Sequence, residues 1–213
     1  MTMNWLKSAF RYLLAFCLIG MLNACSQKSV QDTKVKVEPS VIQPQAPVSE
    51  QPATQVIINQ ADYKLGLEAL ELAEYAKAKR LFRSFIKSNP GLAGAYVNLA
   101  LIAYREDDFE TVNTLLAQAI TLNPEQAQAY HLRAQLHLKN SAIKLARDDY
   151  LKAIELNPSY TNAHYNLALL YDIFLQEIAL AIDHYKTYLS LLDREDEKTQ
   201  NWVKHLQNTL DNG

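Results

Sequence analysis

The chain has 213 residues, 49% of them apolar, with 21 basic and 23 acidic side chains and a formal net charge of -2. That allows one domain with tails, and with Lys and Arg scattered among acids it leaves no electrostatic footprint for nucleic acid. Five glycines and seven prolines against abundant Ala, Leu and Tyr exclude a turn-rich sheet protein and predict an all-α fold.

The first segment is unlike the rest. Lys7 and Arg11 precede the apolar run Tyr12–Leu22, "YLLAFCLIGML". A spanning helix needs about 20 apolar residues, so this shorter run fits the core of an export signal. Its end, "LNAC" (Leu22 to Cys25), resembles the lipobox of bacterial lipoproteins, with Asn23 where Ala or Ser is usual. The resemblance implies that residues 1–24 are removed as a lipoprotein signal peptide and that Cys25 becomes the lipidated first residue of the mature chain. The competing reading is a buried free cysteine in an uncleaved helix. Several acyl chains, each contributing about 0.8 kcal/mol per buried CH₂, make such an anchor permanent. Cys17 leaves with the signal, so no thiol remains for a disulfide or for catalysis. Ser26 follows the cysteine where Asp would mark retention at the inner membrane, and the resemblance therefore implies the periplasmic face of the outer membrane.

Residues 25–58 carry Pro39, Pro44, Pro47 and Pro52 and no glycine. Such a segment cannot build a core and is expected to be a disordered, semi-stiff tether rising about 3 Å per residue where extended. A docking motif within it is the alternative use.

Asn89-Pro90, Asn123-Pro124 and Asn157-Pro158 recur at a spacing of 34 residues, and a fixed period of this size signals a helical-repeat array. With each proline as position 32 of a unit, position 8 holds Gly66, Ala100, Ala134 and Ala168. Position 20 holds Ala78, Val112, Ala146 and, after a one-residue insertion, Ala181. Position 24 holds Phe82, Leu116, Tyr150 and Tyr185, and position 4 holds Tyr96, Tyr130 and His164. Small residues recur where helices must approach closely and large ones where gaps must be filled. The apolar spacing within each unit predicts two amphipathic helices. Asn is expected to close each second helix in the left-handed conformation, with Pro stopping it.

This pattern resembles the tetratricopeptide repeat family over residues 59–193. The resemblance implies a right-handed superhelical solenoid of about four helix-turn-helix units, near 59–92, 93–126, 127–160 and 161–193. Asp62 and Phe85 depart from the pattern in the first unit, and Tyr188 and Asp193 in the fourth. Residues 194–213 then read as a capping helix and tail, with acids in the first turn and Trp202, Val203, Leu206 and Leu210 on one face.

No catalytic constellation emerges: there is no phosphate-binding glycine loop and no HExxH, and His131 and His137 do not share a helix face. An enzyme, a metal site and any cofactor beyond the lipid on Cys25 are not expected. In the resembled family the first helices line a concave peptide-binding groove. Carried over by position, that implies Tyr63, Leu67, Val97, Leu101, Arg105, Gln128, His131, Gln135, Lys139, Asn162, Tyr165 and Leu169. Apolar entries with Arg105 and Lys139 suit an extended or helical peptide with apolar anchors and an acidic group. The expected partners are a protein or peptide of the cell envelope and the membrane through the lipid, with no nucleic acid and no small-molecule substrate. The expected role is a scaffold in assembling an envelope complex, as in type IV pilus lipoproteins. The alternatives are an accessory of a TonB-type transport system or an adaptor for a cell-wall enzyme.

Overall fold

The computed structural model describes the backbone of residues 53–212 and side chains from residue 60 onward. The export signal, Cys25 and most of the expected tether lie outside the described residues. Those described are helical, with no strand among them: α1 (Ala53–Glu71), α2 (Tyr75–Ser88), α3 (Ala93–Arg105), α4 (Phe109–Leu122), α5 (Ala127–Lys139), α6 (Ile143–Leu156), α7 (Thr161–Leu169), α8 (Ile178–Ser190) and α9 (Glu197–Asp211). Helix α1 begins at Ala53, directly after the last proline of the preceding segment and ahead of the expected start at residue 59. Nothing between Ala53 and Gln60 lacks an amide donor or breaks a helix.

Consecutive helices pair as α1–α2, α3–α4, α5–α6 and α7–α8; each pair packs on the next, and α9 packs on α8. The repeated small residues close these seams, since Ala78, Ala100, Val112, Ala134, Ala146, Ala168 and Ala181 are fully buried. Phe82, Leu116, Tyr150 and Tyr185 fill the space between paired helices at 0–1% exposure. Fully burying a side chain of this size contributes about 1.5–3 kcal/mol, so the four position-24 residues anchor the four units. Position 4 has a second use beyond filling space. The Tyr96 hydroxyl donates to the Pro90 carbonyl and His164 Nε2 to the Pro158 carbonyl, both at 3.1 Å. Each ties the start of a unit to the proline before it.

The turns differ from expectation in an instructive way. Asn89, Asn123 and Asn157 adopt φ near -140° with positive ψ, not the left-handed conformation, because a following proline forces its predecessor toward extended backbone. The side chains of Asn123 and Asn157 instead accept hydrogen bonds from the amides of Glu125 and Ser159 at 3.0 and 3.2 Å, turning the chain into the next helix. The left-handed residues lie in the turn inside each unit: Ala73, Asp107, Ser141 and Gln176, with φ between 56° and 59°. Each of the first three closes its helix with a bond spanning five residues, Glu74 N to Ala69 O, Asp108 N to Ala103 O and Ala142 N to His137 O. This 6→1 closure demands one left-handed residue.

The fourth unit makes the equivalent bond from Glu177 N to Tyr171 O, one residue longer. Here the first helix continues as a π-helical segment, Leu170–Leu175. A wider turn absorbs one extra residue without changing which side chains face the core, so Ala181 and Tyr185 keep their buried places.

At the end of the array Asp196 caps α9, accepting from the Thr199 amide at 3.1 Å. Val203 and Leu206 are buried, but Trp202 and Leu210, expected on the same face, are 43% and 53% exposed. Leu210 lies in the last turn of the helix. Trp202 is turned aside, its indole N–H donating to Asp172 Oδ2 at 2.7 Å.

Candidate functional site: the face of the first helices

The first helices of the units, α1, α3, α5 and α7, carry all twelve residues expected to line a groove, and the structure sorts them by depth. At position 5, Tyr63, Val97 and His131 are 3%, 3% and 8% exposed, so the expectation of an open surface is corrected there. These side chains are closed into the seams between units, where each meets position 6 of the following unit. Asn98 donates to the Tyr63 hydroxyl at 3.1 Å and Asn166 to His131 Nε2 at 2.9 Å. Between them, Val97 and Leu132 at the corresponding places belong to one apolar cluster. Asn98 and Asn166 are thus polar ties across two of the three seams; their spacing of one residue beyond the period is the signal that marks them. Tyr165, at the same position in the last unit, is half-buried against Tyr188 and Tyr185, with ring centroids 4.8 and 5.9 Å away.

The remaining expected residues stay accessible. Leu67, Leu101, Gln135 and Leu169 at position 9 are half-buried, as are Gln128 and Asn162, while Arg105 and Lys139 are exposed. Gln128 accepts a hydrogen bond from Gln126 at 2.9 Å. Arg105, Gln135 and Lys139 come together in an open concavity of about 370 Å³, completed by Tyr104, Leu138, Tyr150 and Asn166. The last four were not nominated from sequence. Tyr104 and Leu138 stand at position 12, one turn beyond position 9, and Tyr150 reaches the site from the second helix of its unit.

Two cations edge this concavity, and they are not equivalent. Lys139 Nζ lies 2.6 Å from Asp107 Oδ1 and over the rings of Phe109 and Tyr104, at 4.3 and 5.9 Å. It acts as a strut between units. Arg105 makes no ion pair among the described residues, so its guanidinium is the charge offered to a ligand. A carboxylate could engage it in a bidentate manner, with Tyr104 and Leu138 as apolar walls. Deeper in the same unit pair, Arg133 holds Asp149 through two 2.7 Å bonds, a structural pair between α5 and α6. Among the described residues no group of three or more His, Cys, Asp or Glu side chains could hold a metal ion.

His131 is the buried titratable group beneath this face. With Asn166 donating to Nε2, the ring proton sits on Nδ1, 3.1 Å from the Tyr160 hydroxyl. Burial pushes its pKa from 6.5 down to about 4, opposed in part by a backbone hydrogen bond at Asn162. Burial, then His164, also lowers His184, whose Nδ1 lies 3.1 Å from His164 Nδ1. Between pH 6.5 and about 4 the unfolded chain binds a proton at residue 131 that the folded chain does not. Stability is therefore expected to fall as pH drops through that window, by about 2 kcal/mol at pH 5 from His131. Urea midpoints at pH 7 and 5 measure it: His131→Gln should lose most of this slope, and a variant with the wild-type slope would contradict the assignment.

A stack of helix pairs with an open, mixed apolar and cationic face is a protein-interaction scaffold. Profiles of the tetratricopeptide repeat match residues 63–111, 127–160 and 149–191, and the chain belongs to that family. The mouse Protein O-mannosyl-transferase TMTC3 is 35% identical over 107 residues, covering 46% of this chain and 12% of that protein; the human protein is 39% identical over 83 residues, covering 38% and 9%. The chain thus spans about an eighth or less of these curated relatives. A structure from a functional characterisation of Pseudomonas aeruginosa pilF superimposes with a TM-score of 0.64 at 19% identity, over 75% of this chain and 72% of that one. TTC0263, a thermophilic tetratricopeptide repeat protein of Thermus thermophilus, gives 0.58 at 20% identity, over 71% and 82%. At these identities the likeness is one of fold.

Proposed function

We propose that the chain is a lipid-anchored scaffold on the periplasmic face of the outer membrane. In this reading the face of its first helices holds a segment of a protein partner during assembly of an envelope complex such as a pilus or secretin machine. The observation that carries the reading is the presence in one chain of two separate devices. One is the "LNAC" sequence closing an export-type signal; the other is an interaction face with an uncommitted Arg105 between apolar walls. The similarity in fold to the pilF structure supports the choice of assembly. The role is binding, with no catalysis and no cofactor beyond the lipid. The ligand is a peptide with apolar anchors and one acidic group, met by Arg105.

Replacing Cys25 by Ser tests the anchor. The chain is expected to leave the outer-membrane fraction and to lose its acyl mass; a membrane distribution equal to that of wild type would refute it.

A further inference from the structure

The near balance of charge over the whole chain conceals a local excess. Helix α2, "YAKAKRLFRSFIKS", holds five of the 21 basic residues and none of the 23 acids. Lys77 is paired with Glu74 and Lys79 with Glu106, both at 2.8 Å. Arg80, Arg83 and Lys87 are exposed and make no ion pair among the described residues. At three and seven residues apart they form one stripe along the helix. Only Leu72–Glu74 separate α1 from α2 and Ser84 donates to Asp62, midway along α1, at 3.2 Å, so the two helices run antiparallel and the Lys87 end of the stripe points toward the N-terminal half of α1.

The repeat supplies the control that a single helix lacks. The residues equivalent to Arg80 are Thr114, Asp148 and Asp183; those equivalent to Arg83 are Ala117, Leu151 and Lys186; those equivalent to Lys87 are Thr121, Glu155 and Ser190. All nine are exposed. The outer face of a second helix therefore has no structural need for cations, and the stripe is specific to the first unit. It also belongs to a second helix, whereas the binding face is built from first helices.

We infer that Arg80, Arg83 and Lys87 are a docking surface for an anionic phospholipid headgroup layer. The choice of a membrane as the occupant rests on the anchored reading above; the cationic stripe itself does not. A tether from Cys25 would hold the first unit at high effective concentration near the lipid, and each unpaired Lys or Arg close to an anionic leaflet strengthens partitioning about fivefold. Docked this way, the domain lies with its second helix of unit one on the membrane and the Arg105 face available to a protein.

The test uses the full chain carrying Cys25→Ser, so that no acyl group contributes. It is mixed with vesicles of phosphatidylcholine alone or with 30% phosphatidylglycerol. The leader, with its Lys7 and Arg11, is common to every protein compared. The ratio of partitioning, anionic over neutral, is expected to fall on the order of a hundredfold in Arg80→Gln, Arg83→Gln, Lys87→Gln. It should also collapse for the unsubstituted stripe when ionic strength is raised tenfold, a measurement that needs no variant. Circular dichroism confirms that the triple variant keeps its helices. An unchanged ratio would overturn the inference, as would loss of an acidic protein from pull-downs with vesicle binding intact. If Cys25 proves unacylated in cells while the vesicle ratio still falls, the docking surface stands and the anchored reading fails.

Discussion

Phe82→Ala is expected to cost about 3–5 kcal/mol and to release the first unit ahead of the others. The ring is fully buried between α1 and α2, with Tyr63 edge-on at a centroid distance of 5.7 Å. In a stacked array each unit touches only its neighbours, and the first described unit has α3 on one side alone. Total stabilities of about 5–15 kcal/mol leave little reserve for a terminal unit. Amide exchange during a urea titration should show α1 and α2 losing protection first; equal loss across all helices, or a cost below about 1 kcal/mol, would contradict this. The same site explains a departure in the repeat. A Cβ added at Gly66 would stand 2.8 Å from Phe82 Cε1, whereas the next unit combines Ala100 with Leu116 at the same two positions. Gly66→Ala alone should therefore strain the ring. Made together with Phe82→Leu, it should recover about 1 kcal/mol of helix propensity.

Arg105→Glu combined with Leu101→Ala is expected to lower capture of the protein partner proposed above at least tenfold while leaving helicity unchanged. Arg105 is exposed and without an ion pair among the described residues, so reversing it breaks nothing in the fold and places a negative charge where an acidic ligand group would sit. Leu101, one turn before it, is half-buried and packs against two core clusters, so the double variant is compared with Arg105→Glu alone to separate lost stability from lost contact. Lys139→Ala makes the contrast: its ammonium already serves Asp107 at 2.6 Å, so its loss should trim binding far less than that of Arg105. Crosslinking in intact cells, followed by quantification of the captured protein, reads all three. Equal recovery from the double variant and the wild type would sink the groove reading.

Most of the scaffold was legible in the residues because a 34-residue period repeats the same packing problem. Small side chains at positions 8 and 20 and large ones at position 24 recur where helices must close, and each occupies the place that its type predicts. The fourth unit shows the limit of that legibility: the extra residue before Ala181 is visible in the sequence, but its accommodation as a π-helical turn ending at Gln176 is not. The Asn-Pro turns show a second limit. Asn suggested a left-handed helix end, yet the proline after it dictated extended backbone, and the left-handed residues fell at Ala73, Asp107, Ser141 and Gln176, none a glycine.

The binding face divides in the same manner. The family resemblance, carried over by repeat position, nominated twelve residues, and helical periodicity keeps them on one side of the first helices. Depth along that side depends on how closely the next unit approaches. Only the packed array closed Tyr63, Val97 and His131 into seams, committed Lys139 to Asp107 and left Arg105 open beside Tyr104, Leu138, Tyr150 and Asn166. The sequence by itself determined the period and the helix pairs, since both are properties of local spacing. Which groups remain available to a partner was decided by the tertiary structure, because burial and ion pairing arise between residues that meet across units.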